Sequence, residues 1–200
     1  EAFVRDKDKI FKYPESDSTS LRNVIAKSFN INEERIICGS GSDQIFDLTC
    51  RLFIEPGDEV IVTEFGFIMH RIYASLYQAK VISAKEENFK ASVDEILKKV
   101  SNKTKIVFIA NPNNPTGTYI SKNSMLNLRK RLRSDILLVV DDAYFEFLNK
   151  EDYVSGLELF KNSENVLITR TFSKIYGLAG LRLGWAYSSK KIINSMYQIK

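Results

Sequence analysis

Three unbroken apolar runs, KIVFIA at 105–110, DILLVV at 135–140 and NVLIT at 165–169, constrain this chain more than any other feature. None alternates apolar with polar residues, so each reads as a strand covered on both faces, and each stops at loop-forming or polar residues. Segments of helical period lie among them. Residues 20–29, 42–53, 65–77, 92–100 and 121–132 carry apolar residues at helix spacing, and the fourth opens on a Ser92-x-x-Glu95 capping box. Shorter strands are expected at 35–38, at 59–63 after the turn EPGD, and at 80–83. Strands and helices in this succession predict an α/β domain of three layers, α/β/α, around a mostly parallel sheet. Ligands of such sheets bind beyond the carboxyl ends of the strands, so the strand ends are where function is to be sought. The chain begins at Glu1, and KKIINSMYQIK at 190–200 keeps helical spacing without a stop signal, so the chain reads as a core segment of something longer.

Composition removes several function classes. Lysine and arginine number 29 against 25 acidic residues, and the charge of +4 is not gathered into a basic stripe, which argues against nucleic acid while suiting small anionic ligands. Cys38 and Cys50 make no CxxC spacing, which fits a reduced cytoplasmic setting, and with the lone His70 they form no convincing metal site. No apolar stretch approaches the ~18 residues of a membrane span, and no signal-peptide pattern opens the chain.

Four strand ends carry unusual residues. GSGSDQ at 39–44 follows the first strand, and Ser42, Asp43 and Gln44 begin a helix whose free N–H groups attract an anion. It is neither a dinucleotide fingerprint nor a Walker A loop, and a plain strand-to-helix turn accounts for it equally well. NPNNPTG at 111–117 is a rigid loop that fixes the direction of the Asn114 side chain. Asp141 ends an apolar strand, where a carboxylate needs a positive or donating partner, and Tyr144 lies three residues on; Asp142 reads as an exposed loop carboxylate. Metal binding by the Asp141–Asp142 pair is the rival, weakened by the lack of a third ligand. The last strand delivers Thr171, Ser173 and Lys174 into a turn, with Arg182 eight residues beyond the lysine. A lysine amine shielded from water beside polar donors can form a Schiff base with a carbonyl compound, and hydroxyls with an arginine are groups that hold phosphate.

Together these parts match what pyridoxal phosphate requires: a lysine, an acidic partner for the pyridine nitrogen, donors to the ring oxygen, a ring lid and a dianion cradle. Asn-Pro-Thr-Gly, Asp-x-Ala-Tyr, and Ser-Lys followed by Gly-Leu-Arg-x-Gly occur here in an order that resembles the class I/II aminotransferases of fold type I. The wording of 13–48, 110–117, 139–147 and 171–185 is most similar to the histidinol-phosphate branch of that family. The resemblance implies pyridoxal 5'-phosphate as cofactor, Lys174 as the Schiff-base lysine, Asp141 as partner of the pyridine nitrogen, and Asn114 and Tyr144 as donors to the ring 3-oxygen. It implies Ser42, Asp43, Gln44, Thr171, Ser173 and Arg182 as the phosphate cradle and Phe65 as the stacking ring. It further implies that Tyr13 reaches the cofactor phosphate of a neighbouring subunit, and hence a homodimer acting on small amino and keto substrates. Residues 1–190 would be the cofactor-binding large domain and 191–200 the start of a helix leading to a small domain. Thr63-Glu64-Phe65 departs from the family's usual Pro-x-Tyr. Phosphate-ester substrates would demand a further cationic site beyond Arg182, which the sequence assigns to no residue, Arg5 included. Other activities of the same fold stay open, namely transamination of aromatic or other amino acids and decarboxylation of threonine phosphate. So does a non-catalytic effector-binding domain of a transcription regulator.

Overall fold

The computed structural model describes Val4, residues 7–9 and residues 11–200; Arg5 lies outside the described residues. In chain order the strands are β1 (Ile36–Ser40), β2 (Glu59–Thr63), β3 (Lys80–Ala84), β4 (Glu86–Glu87), β5 (Lys90–Ala91), β6 (Thr104–Ala110), β7 (Leu137–Asp141), β8 (Val166–Thr171) and β9 (Leu183–Tyr187). The α-helices are α1 (Thr19–Phe29), α2 (Gly41–Phe53), α3 (Ile68–Leu76), α4 (Val93–Lys98), α5 (Lys122–Arg131), α6 (Gly156–Phe160) and α7 (Lys190–Ile199). Seven strands form one sheet in the order β1-β9-β8-β7-β6-β2-β3, and β4 with β5 makes a separate two-stranded hairpin. Half of the expected capping box is present: Ser92 Oγ accepts the amide of Glu95 at 3.5 Å at the start of α4, while the Glu95 carboxylate pairs with Lys98 at 2.6 Å. Helix α3 starts three residues later than its periodicity predicts, because Gly66 N donates to Thr63 O and keeps 63–66 in a turn.

The unbroken apolar runs are explained by two cores, one on each sheet face. Val107, Ile109, Leu138 and Val140 pack with α1, α4, α5 and α6, through Ile25, Ile96, Met125, Leu128 and Phe160. Ile106, Phe108, Leu137 and Val139 pack on the opposite face with α2, α3 and α7, through Ile45, Phe46, Ala74, Ile193 and Met196. Residues of a strand alternate between faces, so a strand with helices on both sides needs apolar residues at every position. Burial of each such side chain contributes about 1.5–3 kcal/mol, so β7, buried at all five positions, is a stable platform for its own carboxyl end.

The short hairpin strands β4 and β5 and one strand of the seven-stranded sheet were not legible in the sequence. β9 lies between β1 and β8, antiparallel to both, within a stretch read only as glycine-punctuated. Gly184 interrupts the apolar pattern that would have marked it as a strand. A side chain at Gly184 would collide with the backbone of Gly41 and the amide of Ser42, so the glycine is what lets α2 sit against β9. The other six strands of the sheet run in one direction, which brings the carboxyl ends of β1, β6, β7 and β8 and the start of β9 to a single edge. Among the described residues, no helix is long and apolar enough to cross a membrane.

Candidate active site

At that edge the four strand-end motifs meet. A cleft is lined by Ser42 and Asp43 from α2, Asn114 from the loop after β6, Asp141 and Tyr144 from β7 and its turn, and Thr171, Ser173, Lys174 and Arg182 from the β8–β9 connection. Phe67, Ala110, Ala143 and Ala179 complete the wall. Small side chains at 110, 143 and 179 leave the space that the polar groups enclose.

Each polar group is held by local chemistry. In the loop after β6, Asn111 pairs twice with Ile120, its Oδ1 accepting the amide at 2.8 Å and its Nδ2 donating to the carbonyl at 3.2 Å. Asn113 Nδ2 donates to Thr116 Oγ1 at 2.9 Å and to Phe65 O at 3.1 Å. Two asparagines therefore brace the loop while the third, Asn114, lines the cleft. In the turn after β8, Thr171 Oγ1 accepts the amide of Ser173 at 3.1 Å, Phe172 N donates to Leu183 O, and Gly177 N donates to Lys174 O. Lys174 Nζ lies 5.1 Å from the centroid of the Tyr144 ring. It is exposed rather than shielded as the sequence led us to expect, because its turn projects past the end of the sheet beside the exposed Ile175, Tyr176 and Leu178.

The cationic end of the cleft is built around α2. Gly41 N donates to Arg182 O at 3.0 Å, while Arg182 Nη1 donates to Ala179 O at 3.0 Å and Nη2 to Asp43 Oδ2 at 3.2 Å. Gly41 has φ +73, a backbone conformation that favours glycine, and a Cβ there would meet Arg182 Nη2 at 2.6 Å and displace the guanidinium. The first amides of a helix have no partner within the helix, so the amides that open α2 and the Arg182 guanidinium together make an anion cradle.

The two consecutive aspartates of β7 and its turn face opposite ways. Asp141, 4 % exposed, accepts the Thr169 hydroxyl at 2.9 Å. Burial, with a smaller push from Asp142, raises its pKa to about 7 against the pull of Thr169, the Ala143 amide and Lys174. Asp142 corrects the sequence reading: it is 1 % exposed rather than a loop carboxylate in solvent. Its oxygens accept the amides of Gly156 at 3.0 Å and Leu157 at 3.2 Å, and Arg170 Nη2 is 3.7 Å away, with the guanidinium stacked on the Phe145 ring. A folding chain buries that second carboxylate because α6 and Arg170 offer it donors and charge that no local pattern reveals.

A pH dependence follows for the cofactor-free full-length protein. Asp141 binds its proton more tightly in the folded chain than in the unfolded one, so the stability it contributes is complete below pH ~4 and is lost as pH rises through about 7. Urea unfolding at pH 5 and pH 8 is expected to show a loss in the wild type that Asp141→Asn reduces. An equal pH dependence in both proteins would refute the assignment.

Among the described residues, no group of three or more His, Cys, Asp or Glu side chains could hold a metal ion. A family model described as aminotransferase class I and II matches residues 1–200. The chain belongs to the class I and II aminotransferases. It is 56% identical over 191 residues to the histidinol-phosphate aminotransferase of Pelagibacter ubique (strain HTCC1062), covering 96% of this chain and 53% of that protein. It is 44% identical over 199 residues to the histidinol-phosphate aminotransferase of Maricaulis maris (strain MCS10), covering 100% of this chain and 55% of that one. The solved histidinol-phosphate aminotransferase of Sinorhizobium meliloti, in complex with pyridoxal-5'-phosphate, superposes with a TM-score of 0.94 at 25% identity, covering 100% of this chain and 54% of that chain. The chain thus spans about half the length of the curated relatives it matches.

In this aminotransferase chain, three residues singled out from the sequence stand apart from the cleft lining. Gln44 turns back, its Oε1 accepting Ser40 N at 2.8 Å. Phe65 packs on Phe89 with ring centroids 5.2 Å apart, and Phe67 is the aromatic residue of that segment that lines the cleft. Tyr13 is fully exposed. Sequence reasoning missed Phe67 and His70; the second was set aside as a lone histidine. The signal for both was the helix α3, which begins beside them and turns His70 toward the sheet.

Proposed function

We propose that the protein containing this chain is a pyridoxal-phosphate-dependent aminotransferase that interconverts histidinol phosphate and imidazole acetol phosphate, with glutamate and 2-oxoglutarate as the partner pair. The observation that carries the reading is the convergence of Lys174, Asp141, Tyr144, Asn114 and Arg182 on one cleft in a chain so similar to the P. ubique enzyme. The donor set fits the cofactor. Asp141 is a buried carboxylate whose hydrogen-bond partners are a hydroxyl and an amide, which suits a cationic ring nitrogen, and the cradle at α2 suits a phosphate dianion.

When bound, the cofactor withdraws electrons from the substrate's α-carbon so that the proton there becomes removable. Lys174 Nζ is the base that removes and returns that proton. Asp141 supplies negative charge at the cleft floor. Asn114 and Tyr144 orient the ring by donating to its 3-oxygen, and Phe67, which lines the cleft where Phe65 does not, covers the ring face. Thr171, Ser173, Arg182 and the amides of Ser42, Asp43 and Gln44 hold the phosphate. Residues 1–190 form the cofactor-binding large domain, and 191–200 open the path to a small domain. Tyr13 reaches the partner subunit's cofactor phosphate, making a homodimer, and the enzyme works in the cytoplasm on small amino and keto acids.

The test is a half-reaction assay on the full-length protein. Histidinol phosphate is expected to convert the cofactor's absorbance with a specificity constant well above those of phenylalanine and threonine phosphate. Preference for phenylalanine would make it an aromatic aminotransferase, and carbon dioxide release from threonine phosphate a decarboxylase. No conversion with any of the three or with other amino acids would leave a non-catalytic effector domain.

A further inference from the structure

Arg170 is a buried cation to which the reading above gives no task. It stands on β8 between Thr169 and Thr171, so its side chain leaves the sheet on the face opposite to theirs. That face carries α1 and α6. Arg170 is 3 % exposed, and its Cζ lies 3.4 Å from the centroid of the Phe145 ring, 4.7 Å from that of Phe29 in α1 and 5.7 Å from that of Trp185 in β9. Three aromatic rings from separate elements box it in. Its Nε and Nη1 are buried without a hydrogen-bond partner among the described residues, and Nη2 stands 3.7 Å from Asp142 Oδ2. Burying a cation with two unpaired N–H groups gives up hydration that ring faces replace only in part. Apolar side chains in place of such a buried ion pair often serve stability as well or better, so stability alone does not account for the arginine.

We infer that Arg170 is a positioning residue: it clamps Asp142 and Phe145 against β8 from outside the cleft and so sets where Tyr144 stands relative to Lys174. Its two close partners flank Tyr144 in sequence, and the segment between them is a tight turn. Phe145 N donates to Asp142 O at 3.3 Å, and Phe147 N to Tyr144 O at 3.1 Å. Asp142 is anchored on its other side by the amides of Gly156 and Leu157. Burial raises the Asp142 pKa to about 6 against the pull of Arg170 and of those two amides, so the cation helps keep the carboxylate charged and drawn to β8. Four residues beyond Arg170 the same segment delivers Lys174, whose Nζ lies 5.1 Å from the Tyr144 ring centroid. One side chain thereby ties the turn that carries Tyr144 to the strand that leads to Lys174. A planar guanidinium lies flat on Phe145 while turning an edge to Asp142, which the point charge of a lysine ammonium cannot do.

The inference rests on the aminotransferase reading for the duty of Tyr144, but the clamp itself is measured without cofactor or turnover. Full-length protein labelled with 3-fluorotyrosine is compared with Arg170→Met, which keeps the length and removes the charge, and with Arg170→Lys, which keeps the charge and removes the plane. Loss of a fluorine signal in Tyr144→Phe assigns Tyr144. Leu128→Ala, which opens the same core outside the cleft lining, is the control for a general loss of stability. In Arg170→Met the Tyr144 fluorine signal is expected to move or split. The amides of Phe145, Phe147, Gly156 and Leu157 are expected to exchange hydrogen about tenfold faster or more, while those of β6 keep their wild-type rates. Arg170→Lys should fall between, and Leu128→Ala should leave the Tyr144 signal in place. A folded Arg170→Met with the Tyr144 signal and the four amides unmoved would overturn the inference. So would equal acceleration in β6, or an equal shift in Leu128→Ala, either of which makes Arg170 a stability residue only. If Arg170→Met does not fold, Arg170→Met with Asp142→Asn, which removes both charges of the pair, is held to the same criteria. None of these readouts uses substrate, so failure of the aminotransferase reading and failure of the clamp are told apart.

Discussion

Lys174→Ala in the full-length protein is expected to lower transamination by about 10²- to 10⁴-fold, the scale of a lost general base. Borohydride treatment followed by mass spectrometry should attach the cofactor to the wild-type peptide containing Lys174 and leave the alanine variant unmodified. Cofactor affinity should fall far less, because Arg182, Thr171, Ser173 and the α2 amides are untouched by the change. Equilibrium dialysis separates the two effects. A variant that turns over like the wild type, or a wild type that borohydride does not modify, would remove the basis of the reading. The expectation depends on Lys174 being placed rather than merely present: the Thr171–Ser173 turn and the Gly177 amide pin its backbone, and its Nζ sits over Tyr144.

Asp141→Asn should cost about 10²- to 10³-fold in kcat, comparable with removal of one preorganised electrostatic group from a catalytic site. The substitution is nearly isosteric and can keep the Thr169 contact, so the loss reports charge. Cofactor binding should weaken only modestly, since the phosphate cradle lies at the α2 end of the cleft, on Ser42 and Arg182. The split between kcat and cofactor affinity is the measurement that matters. If affinity falls as much as kcat, Asp141 is an anchor instead of an electrostatic partner. If neither falls, the buried carboxylate serves only the fold.

Much of this was legible in the chain. The α/β architecture followed from unbroken apolar strands, because burial on two faces leaves no position for a polar residue. That the candidate residues at the ends of β1, β6, β7 and β8 meet followed from one further rule, that parallel strands deliver their carboxyl ends to a common edge. The misses have physical causes. β9 was hidden because Gly184 trades side-chain burial for the close approach of α2. Asp142 looked like a surface residue because its donors, the amides of Gly156 and Leu157, are 14 and 15 residues away in sequence.

Arg170 shows the limit most plainly. Its sequence neighbours place it on a strand, but its meaning depends on Asp142, which is 28 positions earlier and 3.7 Å away. Local pattern determined which segments became strands and helices, and which residues stood at their ends, because propensity and burial act over a few residues. Only the tertiary structure decided which side chains share the cleft, that Lys174 is exposed in this chain while Asp142 is not, and that an aromatic box holds Arg170 beside Asp142. Desolvation and charge pairing act through space, and a sequence order does not record distances.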